Sequence, residues 1–149
     1  MKKALLALAL LCLIGIAAQA QVKSISVYNN TTHTLDIVLH GDPTGVCGTP
    51  YLSNIITMAP ASSISFPDPS TVPGGMGGLT AADYFTAVQV TGSTACGTPS
   101  SIVYKCLGGT NFFVPTHSVA VNPPLCSLVT INNIMWTNLT PNSARVDIN

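Results

Sequence analysis

The feature that most restricts the fold of this chain is its shortage of residues that favour helices. The sequence contains no glutamate, and residues 21–149 hold two glutamines and three cationic side chains, Lys23, Lys105 and Arg145. Threonine, valine, isoleucine and serine stand where a helical protein would carry straight-chain polar residues. Because β-branched residues pack well on a pleated surface, we expect an all-β fold.

Alternation of apolar and polar residues locates the strands. Residues 22–28 and 34–40 alternate in this way, and residues 83–91 form the clearest central strand. Turn-forming residues separate such runs every eight to twelve positions, which predicts an antiparallel β-sandwich of about nine short strands, immunoglobulin/fibronectin-like or jelly-roll-like, as a single domain over residues 21–149. The predicted inward-facing positions of the first two strands are Ile25, Val27, Leu35, Ile37 and Leu39.

The conformations of three segments between or within the predicted strands can be tested only against a structure. Residues 29–32 form a turn, which makes the first two strands either a hairpin or a pair that crosses between sheets. Residues 67–79 are rich in proline and glycine and form either a binding loop or, as we favour, a crossover between two sheets. Over residues 128–139 the apolar positions change parity, so we expect a bulge at Asn132 and Asn133.

The first twenty residues have the pattern of a cleavable signal peptide. Lys2 and Lys3 precede an apolar run over residues 4–18, and Ala18-Gln19-Ala20 matches a signal peptidase site. The run is shorter than the ~20 residues of a membrane-spanning helix. We therefore expect residues 1–20 to be removed, the mature chain to carry no transmembrane segment, and the protein to be secreted into the periplasm or the extracellular space.

Four cysteines remain after the leader, an even number that favours two disulfides in an exported chain. Three connectivities exist. Cys96 and Cys106 flank a short segment that can close as a turn, and we prefer this pair, which leaves Cys47 with Cys126. Cys47 with Cys96 is an alternative, because both begin a Cys-Gly-Thr-Pro sequence. None of the four lies within four residues of another or of a histidine, so we predict no metal site.

The charge balance excludes one class of partner. Three cationic side chains oppose five aspartates in the mature chain, a net charge of −2, and three scattered cations cannot neutralise the phosphates of a nucleic acid. Low charge also removes a common barrier to self-association. We therefore expect no nucleic-acid binding, and we expect self-association or binding to a cell-surface component.

No motif of catalysis or of cofactor binding is present. The Gly-x-Ser-x-Gly elbow of serine hydrolases is absent, and the five aspartates fit turns and strand ends. We predict no catalytic residues and no cofactor, so the protein is not expected to be an enzyme. An aromatic platform for sugar rings is a candidate ligand site, with Trp136, Tyr51, Tyr84 and Tyr104 as its residues, although core packing is the interpretation we favour for Trp136.

Two resemblances accompany these patterns. The tail over residues 129–149, with Trp136 and the Asn-Leu-Thr-Pro-Asn-Ser-Ala run, resembles the strand, turn and strand of fibronectin-type modules. More of the chain resembles small secreted bacterial β-sandwich proteins that share a Tyr-Asn-Asn-Thr strand, a Cys-Gly loop, a Pro-Asp-Pro segment and spaced cysteines. No activity is known for those proteins, so the resemblance implies fold and secretion alone.

These observations lead to one main functional hypothesis and one alternative. The main hypothesis is a secreted, non-enzymatic structural or interaction module, a subunit of an extracellular assembly. The alternative is a carbohydrate-binding module that uses the Gly/Pro-rich loop and exposed aromatic residues.

Overall fold

A computed structural model describes residues 21–46, 50–97, 101–104, 112–122 and 124–149, without the side chains of Thr94 and Tyr104. The predicted all-β fold is confirmed, since twelve strands and two three-residue 3-10 helices, Pro69–Thr71 and Thr94–Cys96, make up the described elements. The strands are β1 (Ser24–Asn29), β2 (Leu35–Asp42), β3 (Tyr51–Leu52), β4 (Ile56–Met58), β5 (Ser62–Phe66), β6 (Tyr84–Thr91), β7 (Ser101–Tyr104), β8 (Phe113–Val114), β9 (His117–Val121), β10 (Ser127–Ile131), β11 (Ile134–Thr140) and β12 (Ser143–Ile148).

The strands form two sheets and a ribbon. Sheet 1 has the order β5-β1-β12-β11-β8, sheet 2 has the order β3-β2-β6-β7 with β4 also paired to β2, and β9 and β10 form a two-stranded ribbon. The arrangement is sandwich-like and its pairs are antiparallel, with one exception. β1 and β12 pair in parallel, from Ser24 opposite Ser143 to Asn29 opposite Ile148.

The core follows from the alternation of side chains along each strand. The predicted inward positions of β1 and β2 are all buried, and they join one apolar cluster with residues of β6, β11 and β12. Val27 lies opposite Val146 in this layer. Burying an aliphatic side chain of this size contributes roughly 1.5–3 kcal/mol, so these alternating positions stabilise the fold substantially.

The turn after β1 carries the chain from sheet 1 to sheet 2, so the crossing pair is correct and the hairpin is not. Asn29 fixes this crossing from a fully buried position. Its Nδ2 donates to the carbonyl oxygens of His33 at 2.8 Å and Ala59 at 2.9 Å, and its Oδ1 accepts from the Thr31 amide at 3.1 Å. One side chain therefore ties this turn to the corner between β4 and β5.

Residues 67–79 connect β5 of sheet 1 to β6 of sheet 2, which confirms the crossover that we favoured. Three apolar side chains of this segment, Val72, Met76 and Leu79, are buried in the core. Asp68 caps the 3-10 helix by accepting from the amide of Ser70 at 2.9 Å. The segment is therefore held by packing at three points along its length.

The predicted bulge at Asn132 and Asn133 is wrong, because one strand ends there and another begins. β10 belongs to the ribbon and β11 belongs to sheet 1. The amide of Asn132 donates to the carbonyl oxygen of Asn149, and the amide of Asn149 donates to that of Asn133 at 2.9 Å. This split and the separation of β3 from β4 account for two of the additional strands, since the structure has twelve where about nine were predicted.

The disulfide also differs from the preferred pairing. Cys96 is bonded to Cys126, with the two Cα atoms 5.5 Å apart, so pairing of Cys96 with Cys106 or with Cys47 is wrong. The reason is tertiary: the Ser93 amide donates to the Ala120 carbonyl at 2.8 Å, which brings the ribbon beside the segment that carries Cys96. A Cβ on Gly92 would collide with the backbone of Ala120, so this close approach requires glycine.

Cys47 and Cys106 lie outside the described residues, and so does the predicted leader, residues 1–20. Among the residues that are described, no helix has the length and apolar character needed to cross a membrane.

Candidate functional site

The four aromatic residues predicted as a ligand platform are divided between the two sheets. Trp136 lies in sheet 1 and is 5% exposed, as a member of the core. Tyr51 is exposed on β3, and Tyr84 on β6 is half-buried with the Lys23 amine 5.6 Å from its ring centroid. Tyr104 lies on β7, and its side chain is outside the described part of the structure.

The outer face of sheet 1 carries a different set of residues. Strand register places Tyr28, Asp147, Met135 and Phe113 in one row across β1, β12, β11 and β8. The neighbouring row begins at Ser65 on β5, whose hydroxyl is hydrogen-bonded to that of Ser26 at 2.8 Å, and continues through Arg145 and Thr137. This face combines aromatic, thioether, hydroxyl and ionic groups.

Arg145 is the centre of this face. Its guanidinium lies 4.0 Å from the centroid of the Tyr28 ring, and it donates to both carboxylate oxygens of Asp147 at 2.6–3.0 Å. The hydrogen bonds from Arg145 to Asp147 raise the pKa of the guanidinium above its usual value, and the pair has no net charge. Since the Arg145 side chain is 41% exposed, the pair is screened by solvent and adds little stability.

An open groove lies where β8 meets β11, next to this face. We call it the β8–β11 groove. Its volume is about 460 Å³, and its lining consists of Phe112, Phe113, Met135, Trp136, Thr137 and Asn138. The indole nitrogen of Trp136 donates to Oδ1 of Asn138 at 3.1 Å, so Asn138 is oriented by the core tryptophan.

None of these lining side chains titrates near neutral pH. The groove therefore offers apolar contact and hydrogen bonds from an amide and a hydroxyl, but no general acid or base of its own.

Sheet 2 holds a buried histidine that the sequence did not single out as a site residue. His40 is 5% exposed, and its Nε2 lies 3.1 Å from Oε1 of Gln89 on the next strand. Its Nδ1 is buried, and none of the described residues forms a hydrogen bond with it. Burial lowers the pKa of His40 below 6.5, and the hydrogen bond to Gln89 raises it less. The ring is therefore held neutral, as a donor to Gln89.

The two most exposed large apolar side chains of the described surface lie in the ribbon or directly beside it. Leu125, just before β10, is 83% exposed, and Leu128 within β10 is 73% exposed. These residues belong to a long uncharged segment, because residues 106–144 contain no aspartate, glutamate, lysine or arginine. We refer to residues 106–144 as the uncharged segment. It also includes the exposed Phe113, Met135 and Leu139.

Within the described ranges, no three histidine, cysteine or acidic side chains are placed so that they could hold a metal ion. Comparison with known proteins finds no family model that matches the chain and no curated protein with a similar sequence.

The residues of the core could be predicted from the sequence better than the residues on the outer face of sheet 1. The solvent-facing parity of β1 was visible, and it would have marked Tyr28 beside Ser24 and Ser26. The stacking of Arg145 on Tyr28 was not visible, because it depends on the parallel pairing of strands more than a hundred positions apart.

Proposed function

We propose that the protein is an exported, non-enzymatic β-sandwich module that acts by association, as a subunit of a periplasmic or extracellular assembly. One observation carries this proposal: the surface of the uncharged segment exposes large apolar side chains, with Leu125 and Leu128 the most exposed.

Large exposed apolar surface on a folded protein marks sites of interaction. Strands that are meant to stay unpaired usually carry charge, lysine above all, and β10 carries none. A surface with these two properties suits an uncharged protein partner, including another copy of the same chain.

The test is the molar mass of the oxidised chain over residues 21–149, measured by sedimentation equilibrium and light scattering from about 1 μM to 1 mM. We expect the mass to rise with concentration. A mass that stays monomeric over this whole range, together with no binding to cell-surface extract in a pull-down, would contradict the proposal.

The β8–β11 groove supports a second candidate function, carbohydrate binding. Sugar sites combine aromatic rings with a few oriented polar groups, and here Phe113, Met135 and Trp136 lie beside the amide of Asn138. The groove volume falls within the usual range for small-ligand sites.

Trp136 is the sole tryptophan of the chain, so its fluorescence reports on this groove without interference. We expect a neutral oligosaccharide from a broad panel to shift the emission, and Phe113→Ala to weaken that binding at least tenfold. Ser63→Ala, on the far edge of sheet 1, is the matched control and should bind as the parent chain does. An unchanged spectrum across the panel would count against this candidate.

A further inference from the structure

The outward edge of β10 has a definite arrangement of backbone groups. Ala120 of β9 lies directly opposite Leu128 of β10, and the Ala120 carbonyl accepts from Ser93 on the other side of β9. The backbone groups of Ala120 therefore point away from β10. Opposite residues in an antiparallel pair exchange both hydrogen bonds or neither, so the N–H and C=O of Leu128 also point away from β9.

Thr130 is two residues further along β10, and it has the same orientation as Leu128. Within the described part of the chain, β10 pairs with β9 alone, and no partner meets the outward groups of Leu128 or Thr130. These four polar groups form a short open hydrogen-bonding edge.

A second copy of the chain is complementary to this edge. If two β10 strands pair antiparallel about a two-fold axis at Val129, Leu128 of each copy lies opposite Thr130 of the other. These are the residues whose N–H and C=O groups point outward, so all eight outward groups of the two copies are satisfied in four hydrogen bonds. The exposed side chains of Leu128 and Thr130 then lie next to each other across the junction.

Electrostatics permit this pairing of like with like. Both strands of the ribbon belong to the uncharged segment, which contains no aspartate, glutamate, lysine or arginine. Two ribbons can therefore pair without repulsion between charged side chains and without burying an unpaired charge. The cystine at Cys96 and Cys126 fixes the position of the residue that immediately precedes β10.

The same geometry limits the size of the assembly. The opposite edge of the ribbon is held against Ser93 by the Ala120 carbonyl, so β10 carries the one edge of the ribbon that no described residue covers. A symmetric contact through a single edge closes at two copies. Two five-residue strands form a small contact compared with the ~1,200 Å² of a standard stable interface, so the dimer forms only at high protein concentration.

We infer that the chain forms a two-fold symmetric dimer by antiparallel pairing of β10 strands centred on Val129. The inference rests on the proposed function and specifies its partner and contact surface.

The decisive variant is Thr130→Pro, compared with Thr130→Val in sedimentation equilibrium of the oxidised chain over residues 21–149. Proline removes the outward N–H of Thr130 without removing a hydrogen bond to β9, and proline is tolerated on such edges. Valine keeps the N–H and the branched side chain. We expect the parent chain and Thr130→Val to show a monomer–dimer equilibrium, and Thr130→Pro to dimerise at least tenfold more weakly.

A second pair of variants keeps the test decisive if proline disturbs folding, which thermal unfolding reports. Leu128→Lys places a charge on the proposed junction, and Ser63→Lys places one on β5 at the far edge of sheet 1. We expect Leu128→Lys to remain monomeric and Ser63→Lys to dimerise as the parent does.

The outcomes separate the two proposals. Association that survives Leu128→Lys and folded Thr130→Pro overturns the β10 dimer and leaves the proposed function standing. Growth of the parent chain beyond two copies overturns the closed dimer in the same way. A monomer at every concentration overturns the dimer directly, and it removes self-association from the proposed function while leaving binding to a cell-surface partner to the pull-down.

Discussion

Sheet 2 and the β9–β10 ribbon differ in where their polar groups lie and in what those groups bond to. In sheet 2 the buried Asp36 accepts from the Thr57 hydroxyl at 2.7 Å, and the buried His40 is bonded to Gln89. The ribbon contains no charged side chain, exposes Leu128, and leaves backbone groups directed outward. Under the dimer proposed above, stability and association lie in different regions of the chain: polar groups bonded between strands hold sheet 2 together, and the outward backbone groups of the ribbon bind a second copy.

The largest expected effect tests whether sheet 2 carries the stability. Phe85 on β6 is fully buried, so Phe85→Ala should lower the free energy of unfolding by about 3–5 kcal/mol. Leu128→Ala in the ribbon should change it by less than about 0.5 kcal/mol, because the side chain is exposed. Urea denaturation followed by circular dichroism measures both values. Equal losses from the two substitutions would break the contrast between the regions.

The next largest loss of stability is expected from removal of the disulfide between Cys96 and Cys126. Replacing both Cys96 and Cys126 with serine opens a cross-link of sequence separation 30 and should cost about 3 kcal/mol of unfolding free energy. The loss should be concentrated in the ribbon, because the bond joins its β10 end to the 3-10 helix that follows β6. Hydrogen exchange of the Val119 amide should therefore accelerate, while that of Val27 in sheet 1 should change less. Uniform acceleration across both would show that the bond stabilises the whole sandwich.

The local parts of this structure could be predicted from the sequence. The inward positions of Ile25 and Ile37 follow from alternation within one strand, and the crossover of residues 67–79 follows from its proline and glycine content and its length. The parallel pairing of β1 with β12 and the bond between Cys96 and Cys126 could not, because both depend on contacts between distant segments.

The candidate site was less predictable than the fold. Trp136 was recognised as a residue of either the core or a platform, and it proved to belong to the core with an edge at the groove. The ribbon edge needed the register of β9 against β10 and the bond from Ser93 to Ala120, which no periodicity reveals.

A smaller effect is expected on the pH dependence of stability, and it tests the buried His40 of sheet 2. The folded chain lowers the pKa of His40 below 6.5 because the ring is buried, so the unfolded chain binds this proton at a higher pH. Stability is unaffected by this group above about pH 6.5 and is lost as pH falls below it toward the folded pKa. Protonation would also place a donor at Nδ1, to which none of the described residues offers an acceptor.

His40→Gln should therefore weaken the decline in Tm between pH 7 and pH 5, measured by differential scanning calorimetry. The neighbouring acid on the same side of β2 is Asp36, four residues away, and Asp36→Asn is the control that should preserve the decline near pH 6. If the parent and His40→Gln chains lose Tm equally over this range, the histidine is not the group responsible.

The smallest effect on stability is expected at Leu125. Substitution of this residue tests whether apolar contact beside the ribbon contributes to the affinity of the dimer. Leu125→Ser removes the most exposed large apolar side chain and should change the unfolding free energy by less than about 0.5 kcal/mol. The substitution leaves the outward backbone groups of Leu128 and Thr130 intact, so the dimer should persist with an affinity reduced by a factor of about 2–5, corresponding to roughly 0.4–1 kcal/mol of lost apolar contact. Sedimentation equilibrium of this variant beside Leu139→Ser, an equally apolar change on β11, separates contact at the ribbon from general surface hydrophobicity. Equal weakening by both variants would mean that exposed apolar area, rather than the β10 edge, brings the copies together.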